Sequence, residues 1–399
     1  MSICRREFST SGFCPELNEV TVTKFTHNLE NLIRKFVRIF FMKIWLFRKG
    51  VLDQAPSHCN RIVVCLGGNF GGGISAFMQL EALLLRYKNA KIYALTNNKA
   101  VSELVSIFFE NAVVPLHIES IGVLSYFGQK ASRGRESIRN ANPDLFIFHH
   151  NLDVWGSLPW WSRFSVLGFF DQSKYGFKWF NAFGLPERYG LHSESTWKDY
   201  NEPIIHLIGC PNRSCRPGRA SLVGLIRNQP YFDFKKGNTR FIVVQATTWS
   251  EQAQKAYPSH CLTEVCRLLL SAGHSVALVG ESGHSKGFEL LASHHRFINA
   301  CGLTSAHLIH LVLHADLVLA HDSGIMHLAG YLSKQTVVIE GPTSVAKTWA
   351  YPAENLFVVT AEDKKPCYKS STGLFNICQS RSCLSIKPKD IANFILELI

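Results

Sequence analysis

Apolar residues arrive in short solid blocks, and the stretches between those blocks carry apolar residues at helical spacing. Residues 61–66 (RIVVCL), 91–95 (KIYAL) and 144–149 (DLFIFH) read as strands covered on both faces, because they are too short for helices and do not alternate with polar positions. Between them, 77–87 and 100–110 have the period of amphipathic helices. The pattern restarts with strands at 240–245 (RFIVVQ), 275–279 (SVALV), 317–320 (LVLA) and 336–339 (TVVI), and with helices at 260–272, 306–314 and 323–331. Apolar strands alternating with helices predict an α/β fold built on parallel sheets. Turns are expected at the glycine-rich 67–73 (GGNFGGG), at 97–100 and at 280–283.

The less regular, tryptophan- and phenylalanine-rich stretch 151–235 interrupts this pattern. Its part 200–232, with several Pro, Gly and Asn, is the expected linker. The chain of 399 residues therefore divides into an N-terminal extension (1–60), a first α/β half with its linker (61–232) and a second α/β half (233–399). No sequence repeat relates the halves. Ligands of such sheets sit beyond the carboxyl ends of the strands, so a site is expected in a cleft where the halves face each other.

Composition narrows the class. With 46% apolar and 18% charged residues, the chain is not that of a disordered protein. A net charge of +12 favours polyanionic partners: nucleic acid, anionic lipid or phosphorylated substrates. There is no arginine-rich arm or RNA-binding signature, so nucleic acid is not among the expected partners. Residues 32–48 (LIRKFVRIFFMKIWLFR) interleave Arg34, Lys35, Arg38, Lys43 and Arg48 with aromatic and aliphatic side chains. No uncharged run there approaches the ~20 residues that span a bilayer. On a helix this segment suits an anionic membrane surface, or else packs its apolar side on the protein body. Residues 1–24 are polar and lack the apolar core of a secretory signal. Of twelve cysteines, Cys65 and Cys266 sit inside apolar runs as small buried hydrophobes, and a reducing compartment is expected. Cys367, Cys378 and Cys383 have no nearby fourth ligand and read as free thiols rather than a zinc site.

The candidate chemistry lies at 317–329 (LVLAHDSGIMHLA). A buried strand ends at His321, Asp322 and Ser323 fall where a helix N-cap belongs, and Gly324 permits close backbone approach. The first turn of the helix then offers N–H groups and a positive dipole end to an anion. His327, four residues after Ser323, faces the same side. The alternative is a well-capped helix with a packed histidine. Thr247 and Thr248 follow another strand end, with Lys255-Ala256-Tyr257-Pro258 behind them, which suits a phosphate clamp. Gly341-Pro342-Thr343 follows a further strand.

In this order and at these spacings, the region from about 240 to 395 resembles the C-terminal half of family-9 glycosyltransferases, the lipopolysaccharide heptosyltransferases. The resemblance implies a GT-B-like fold, two Rossmann-like domains facing across a cleft. It also implies donor binding by Thr247, Thr248, Lys255, Glu281, Asp322, Ser323, Gly324 and His327. Thr248 and Lys255 would touch phosphate, Glu281 would accept from the ribose, Ser323 and Gly324 would cradle the diphosphate, Asp322 would lie near the sugar and His327 would support the loop. The implied reaction is inverting and metal-independent, in keeping with the lack of any Asp-x-Asp motif, and needs no cofactor. It moves a sugar, heptose, from a nucleotide-diphosphate donor (ADP-heptose) to a lipid-linked phosphorylated saccharide of the lipopolysaccharide core. The implied place is cytoplasmic, peripheral on the inner face of the cytoplasmic membrane.

The family's aspartate, the general base in the first half, aligns on Gly72. Candidates to replace it follow the strand at 144–149: His149, His150 and Asp153. The two histidines could equally be strand-end residues with no role. Otherwise the acceptor needs less activation, or the chain is a catalytically degenerate protein that binds nucleotide sugar or acts as a scaffold at the membrane. A dinucleotide-dependent oxidoreductase is disfavoured, because GGNFGGG does not fit G-x-G-x-x-G with an acidic residue about twenty positions on.

Overall fold

The computed structural model describes residues 55–66, 69–118, 129–148, 165–168, 205–206, 208–209, 239–248, 254–362 and 381–399. The basic segment 32–48, nearly all of the expected linker, His149, His150, Asp153, Cys367 and Cys378 lie outside them.

Five parallel strands form the first sheet: β1 (Arg61–Cys65), β2 (Lys91–Thr96), β3 (Val113–His117), β4 (Leu145–Phe148) and β5 (Ser165–Gly168), in the order β3-β2-β1-β4-β5. Its helices are α1 (Phe70–Ser75), α2 (Phe77–Arg86), α3 (Lys99–Phe109) and α4 (Gln129–Ala141). The second sheet has six parallel strands: β6 (Phe241–Gln245), β7 (Ser275–Gly280), β8 (Phe297–Cys301), β9 (Leu317–His321), β10 (Thr336–Ile339) and β11 (Leu356–Val359), in the order β11-β10-β9-β6-β7-β8. With it go α5 (Ser259–Ser271), α6 (Ser305–His314), α7 (Gly324–Tyr331), α8 (Val345–Thr348) and α9 (Pro388–Leu398). Both orders are doubly wound. The direction of winding reverses beside the first strand of each half, giving switch points between β1 and β4 and between β6 and β9.

The halves also share a device that no sequence repeat announces. Asp144, just before β4, accepts the backbone N–H of Arg61 at 2.9 Å; Asp316, just before β9, accepts that of Phe241 at 2.8 Å. Each aspartate also faces an arginine at the start of the adjoining strand, Arg61 at 3.8 Å and Arg240 at 3.9 Å. One carboxylate thus ties together the starts of the two strands that flank each switch point, and it satisfies backbone donors beyond the ladder.

The strands and helices read from hydrophobic pattern are present with ends shifted by a residue or two. The glycine-rich 67–73 differs: its composition predicts a turn, but α1 begins at Phe70. Asn69 caps it by accepting the N–H of Gly72 at 2.6 Å, which offsets part of the poor helix propensity of three glycines. The glycines are there for space, since a Cβ at Gly73 would lie 2.6 Å from Val101. β3 carries Pro115 and is an edge strand, where a missing ladder donor is tolerated.

The two halves touch through side chains of their inner helices. The Phe77 ring stands edge-on to Phe108 (5.9 Å), Phe109 (5.3 Å) and Tyr331 (5.4 Å), so that α2, α3 and α7 share one aromatic cluster. Tyr331 donates to Glu81 at 2.6 Å and Ser305 to Glu103 at 2.7 Å, both from the second half to the first. One apolar core runs through both halves, while a second lies beneath α5 and α9. No helix among the described residues is long and apolar enough to cross a membrane. Because Phe77 is fully buried at the join, Phe77→Ala is expected to lower unfolding free energy by about 3–5 kcal/mol. Urea denaturation checks this, and a loss below about 1 kcal/mol would contradict the shared core.

Candidate functional site

The β6–β9 switch point is organised by a residue that the sequence motifs do not mark. Gln245 is the last residue of β6 and is buried. Its Nε2 donates to the Thr247 carbonyl at 2.8 Å, and its Oε1 accepts from the His321 backbone N–H at 3.1 Å and the Ser323 hydroxyl at 2.6 Å. One amide thus bridges the turn after β6 and the turn after β9. The one signal in the sequence is a polar residue closing an otherwise apolar strand. Thr247 is partly exposed at the first of these turns and Thr248 is buried beside it.

Asp322 turns inward. Its Oδ2 accepts from Lys255 Nζ at 2.8 Å and from the Thr343 hydroxyl at 2.5 Å, and the Lys255 and Asp322 side chains are only 10% and 5% exposed. Burial alone would raise the Asp322 carboxyl. The Lys255 ammonium and hydrogen bonds from Lys255, Thr343 and Thr348 outweigh it and hold the group below the ordinary carboxylate range. Lys255, Asp322 and the Gly341–Thr343 turn, separate motifs in sequence, are therefore one buried cluster.

α7 starts directly above this cluster. Ser323 occupies the N-cap position with extended backbone, yet its side chain caps nothing. Behind it, His321 Nε2 accepts the Tyr257 backbone N–H at 3.0 Å, which requires the proton on Nδ1 and a neutral ring. Burial brings the pKa of His321 down to about 4, and that of His327, also buried, to about 4. His327 is therefore neutral near pH 7. Its ring lies against Tyr351 at 5.9 Å and against Gly71 of α1, rather than adding a charge to the helix start.

The opposite wall comes from the first half. A Cβ at Gly71 would stand 2.6 Å from His327 Cδ2 and 3.5 Å from Gly324 Cα, and one at Gly324 would stand 2.2 Å from Phe70 Cδ1. Both glycines lie where two helices meet backbone to backbone, which joins the glycine-rich stretch after β1 to the helix start after β9. Gly72 is buried, and a Cβ there would meet Asn69 Oδ1 at 2.8 Å, so the Asn69 amide stands at the root of the side chain that position 72 lacks. Glu281 follows β7 at the rim, its carboxylate 72% exposed. Seven of the eight donor candidates thus cluster on the β6–β9 switch point and its flanks, and Glu281 lies one strand away. Among the described residues no group of three or more His, Cys, Asp or Glu side chains could hold a metal ion.

Residues 222–376, which take in the second sheet, match the family model of glycosyltransferase family 9 (heptosyltransferase). No curated protein sequence matches the chain. Among solved structures, the chain is similar to ADP-heptose lipopolysaccharide heptosyltransferase II of E. coli, with 15% identity, a TM-score of 0.58, and 85% of this chain and 98% of that one covered. It is also similar to E. coli heptosyltransferase WaaC with ADP-2-deoxy-2-fluoro heptose, with 16% identity, a TM-score of 0.59, and 85% and 100% covered. A third is the glycosyl transferase family 9 protein of Veillonella parvula, with 15% identity, a TM-score of 0.58, and 85% and 97% covered. At such identities the likeness is one of fold: the chain has the GT-B arrangement of two doubly wound halves.

Asp322→Ala leaves the Lys255 ammonium buried without its carboxylate and is expected to cost about 3–5 kcal/mol in denaturant unfolding. A loss under about 1 kcal/mol would show that the pair is not buried as described. His321 and His327 have folded pKa values far below the ordinary 6.5. The unfolded chain therefore binds more protons, and stability is full above pH 6.5 and falls as pH drops toward 4. Between pH 7 and pH 5 each should contribute a loss of about 2 kcal/mol, read from urea midpoints. A flat profile over that interval would contradict neutral, buried imidazoles.

Proposed function

We propose that this protein transfers a sugar from a nucleoside-diphosphate donor, bound at the β6–β9 switch point, to an acceptor presented by the first half. The observation that carries this reading is the start of α7. It opens at a topological switch point with no side-chain cap, and it abuts α1 of the other half. Glycosyl transfer from such a donor leaves a nucleoside diphosphate, and the charge developing on it is stabilised by fixed N–H donors at a helix start. Thr247 and Thr248 border the same switch point, Lys255 and Asp322 fix the turn from below, and Glu281, at the rim, accepts from the ribose in this reading. Displacement across the join between the halves inverts the anomeric carbon and uses no metal.

The finer reading is that the sugar is heptose carried by ADP and that the acceptor is a lipid-linked phosphorylated saccharide of the lipopolysaccharide core. It is supported by the family match over 222–376 and by the solved relatives, an ADP-heptose heptosyltransferase and a heptosyltransferase with ADP-2-deoxy-2-fluoro heptose. A net charge of +12 suits a phosphorylated acceptor at an anionic surface, with the protein peripheral on the inner face of the cytoplasmic membrane.

One observation favours a second reading, in which the protein binds nucleotide sugar without turning it over. Position 72 holds glycine, with Asn69 at the root of the absent side chain. In the first reading the base is supplied by His149, His150 or Asp153. The test incubates the full chain with ADP-heptose and lipid A carrying the inner-core acceptor sugar, and follows acceptor-dependent ADP release and product mass. Turnover is expected, and alanine at the residue acting as base should lower kcat by about 10²–10⁴-fold. ADP-heptose binding without product would establish the second reading. In that case Gly72→Asp, made with Asn69→Ala to clear its Cβ, is the variant expected to begin turnover.

A further inference from the structure

A serine at an N-cap ordinarily accepts an N–H from the first turn of its helix. Ser323 has the extended backbone of such a cap, but its hydroxyl makes no cap bond and donates to Gln245 Oε1 at 2.6 Å instead. Gln245 cannot turn its amide over without losing contacts on both sides, because Nε2 is held by the Thr247 carbonyl and Oε1 by the His321 N–H. The acceptor side of this buried amide therefore points permanently at Ser323. The result is that the N–H groups at the start of α7 meet no capping side chain, although a competent one stands at the N-cap.

We infer that Gln245 is a positioning residue for donor binding: by holding the Ser323 hydroxyl it keeps the start of α7 uncapped for the diphosphate of a nucleotide sugar. The inference rests on the donor site proposed above and adds how that site is kept open. A capping hydroxyl and a phosphate oxygen compete for the same N–H groups, so releasing Ser323 sets a cap against the ligand. The strength of a serine cap puts the resulting loss of affinity on the order of tenfold. With alanine at 323 there is no hydroxyl to release, and the effect of changing Gln245 should largely vanish.

The experiment is a double-mutant cycle on the full chain, with ADP, GDP, UDP and CDP titrated calorimetrically and thermal unfolding followed alongside. Gln245→Met is expected to weaken binding of the nucleoside diphosphate that the wild-type protein takes by on the order of tenfold. In the Ser323→Ala background, the same change should cost less than about threefold. Gln245→Asn, which keeps an amide but withdraws it by one methylene, is the second variant should Gln245→Met not fold, and should give the same pattern. Unchanged binding in the Gln245 variants, or an equal loss in both backgrounds, would overturn the inference while leaving the donor site standing. If the wild-type protein binds none of the four nucleotides, the donor site itself fails and the inference with it.

Discussion

Gly71 and Gly324 can face one another only because neither carries a Cβ. At that contact the backbone after the first strand of one half meets the backbone after the fourth strand of the other, and a methyl group on either side would drive into His327 or Phe70. Everything that makes a common site from two doubly wound halves depends on this approach. It brings the two switch points, each the usual ligand position of its own sheet, onto one another. The aromatic cluster around Phe77 and the Tyr331–Glu81 bond hold the join from behind, so the contact belongs to a continuous core.

In the second half the β6–β9 switch point is built on buried polar groups that bond to one another. Lys255, Asp322 and Thr343 neutralise and hydrogen-bond one another below the helix, and Gln245 does the same for the two turns above the strand ends. Satisfied networks of this kind rigidify their surroundings, while a half-satisfied one would be costly. The helix start above them carries no side-chain cap. In the proposed donor site, positive charge would reach the ligand through the dipole and N–H groups of α7, because the lysine's charge is shared with Asp322. His327, neutral and wedged between the halves, contributes shape.

Much of this could be read from the chain. The strands of 61–66, 240–245 and 317–320 are solid apolar blocks, and such blocks leave little choice but a parallel, two-faced sheet. The motif at Asp322–Gly324 marked a helix start because Asp, Ser and Gly each have a physical reason to stand there. What could not be read depends on distance through space. Gln245 carries no motif, and its role exists only because β6 and β9 are neighbours. The inward turn of Asp322 depends on a lysine 67 positions away. The glycines of 71–73 predict a turn by propensity, whereas the segment is a helix capped by Asn69, and glycine is needed in it because neighbouring side chains leave no room for a Cβ. The paired aspartates at 144 and 316 repeat a structural device without repeating any sequence around it.

The proposed function requires a nucleoside diphosphate at the start of α7, where the two halves meet. A crystal structure of the protein with its nucleoside diphosphate measures this directly. Phosphate oxygens are expected within about 2.7–3.2 Å of backbone nitrogens of the Gly324–Met326 turn, with Ser323 still on Gln245 and the Lys255–Asp322 pair intact. A diphosphate held instead by the glycine-rich stretch after β1, with the α7 start unoccupied, would contradict it.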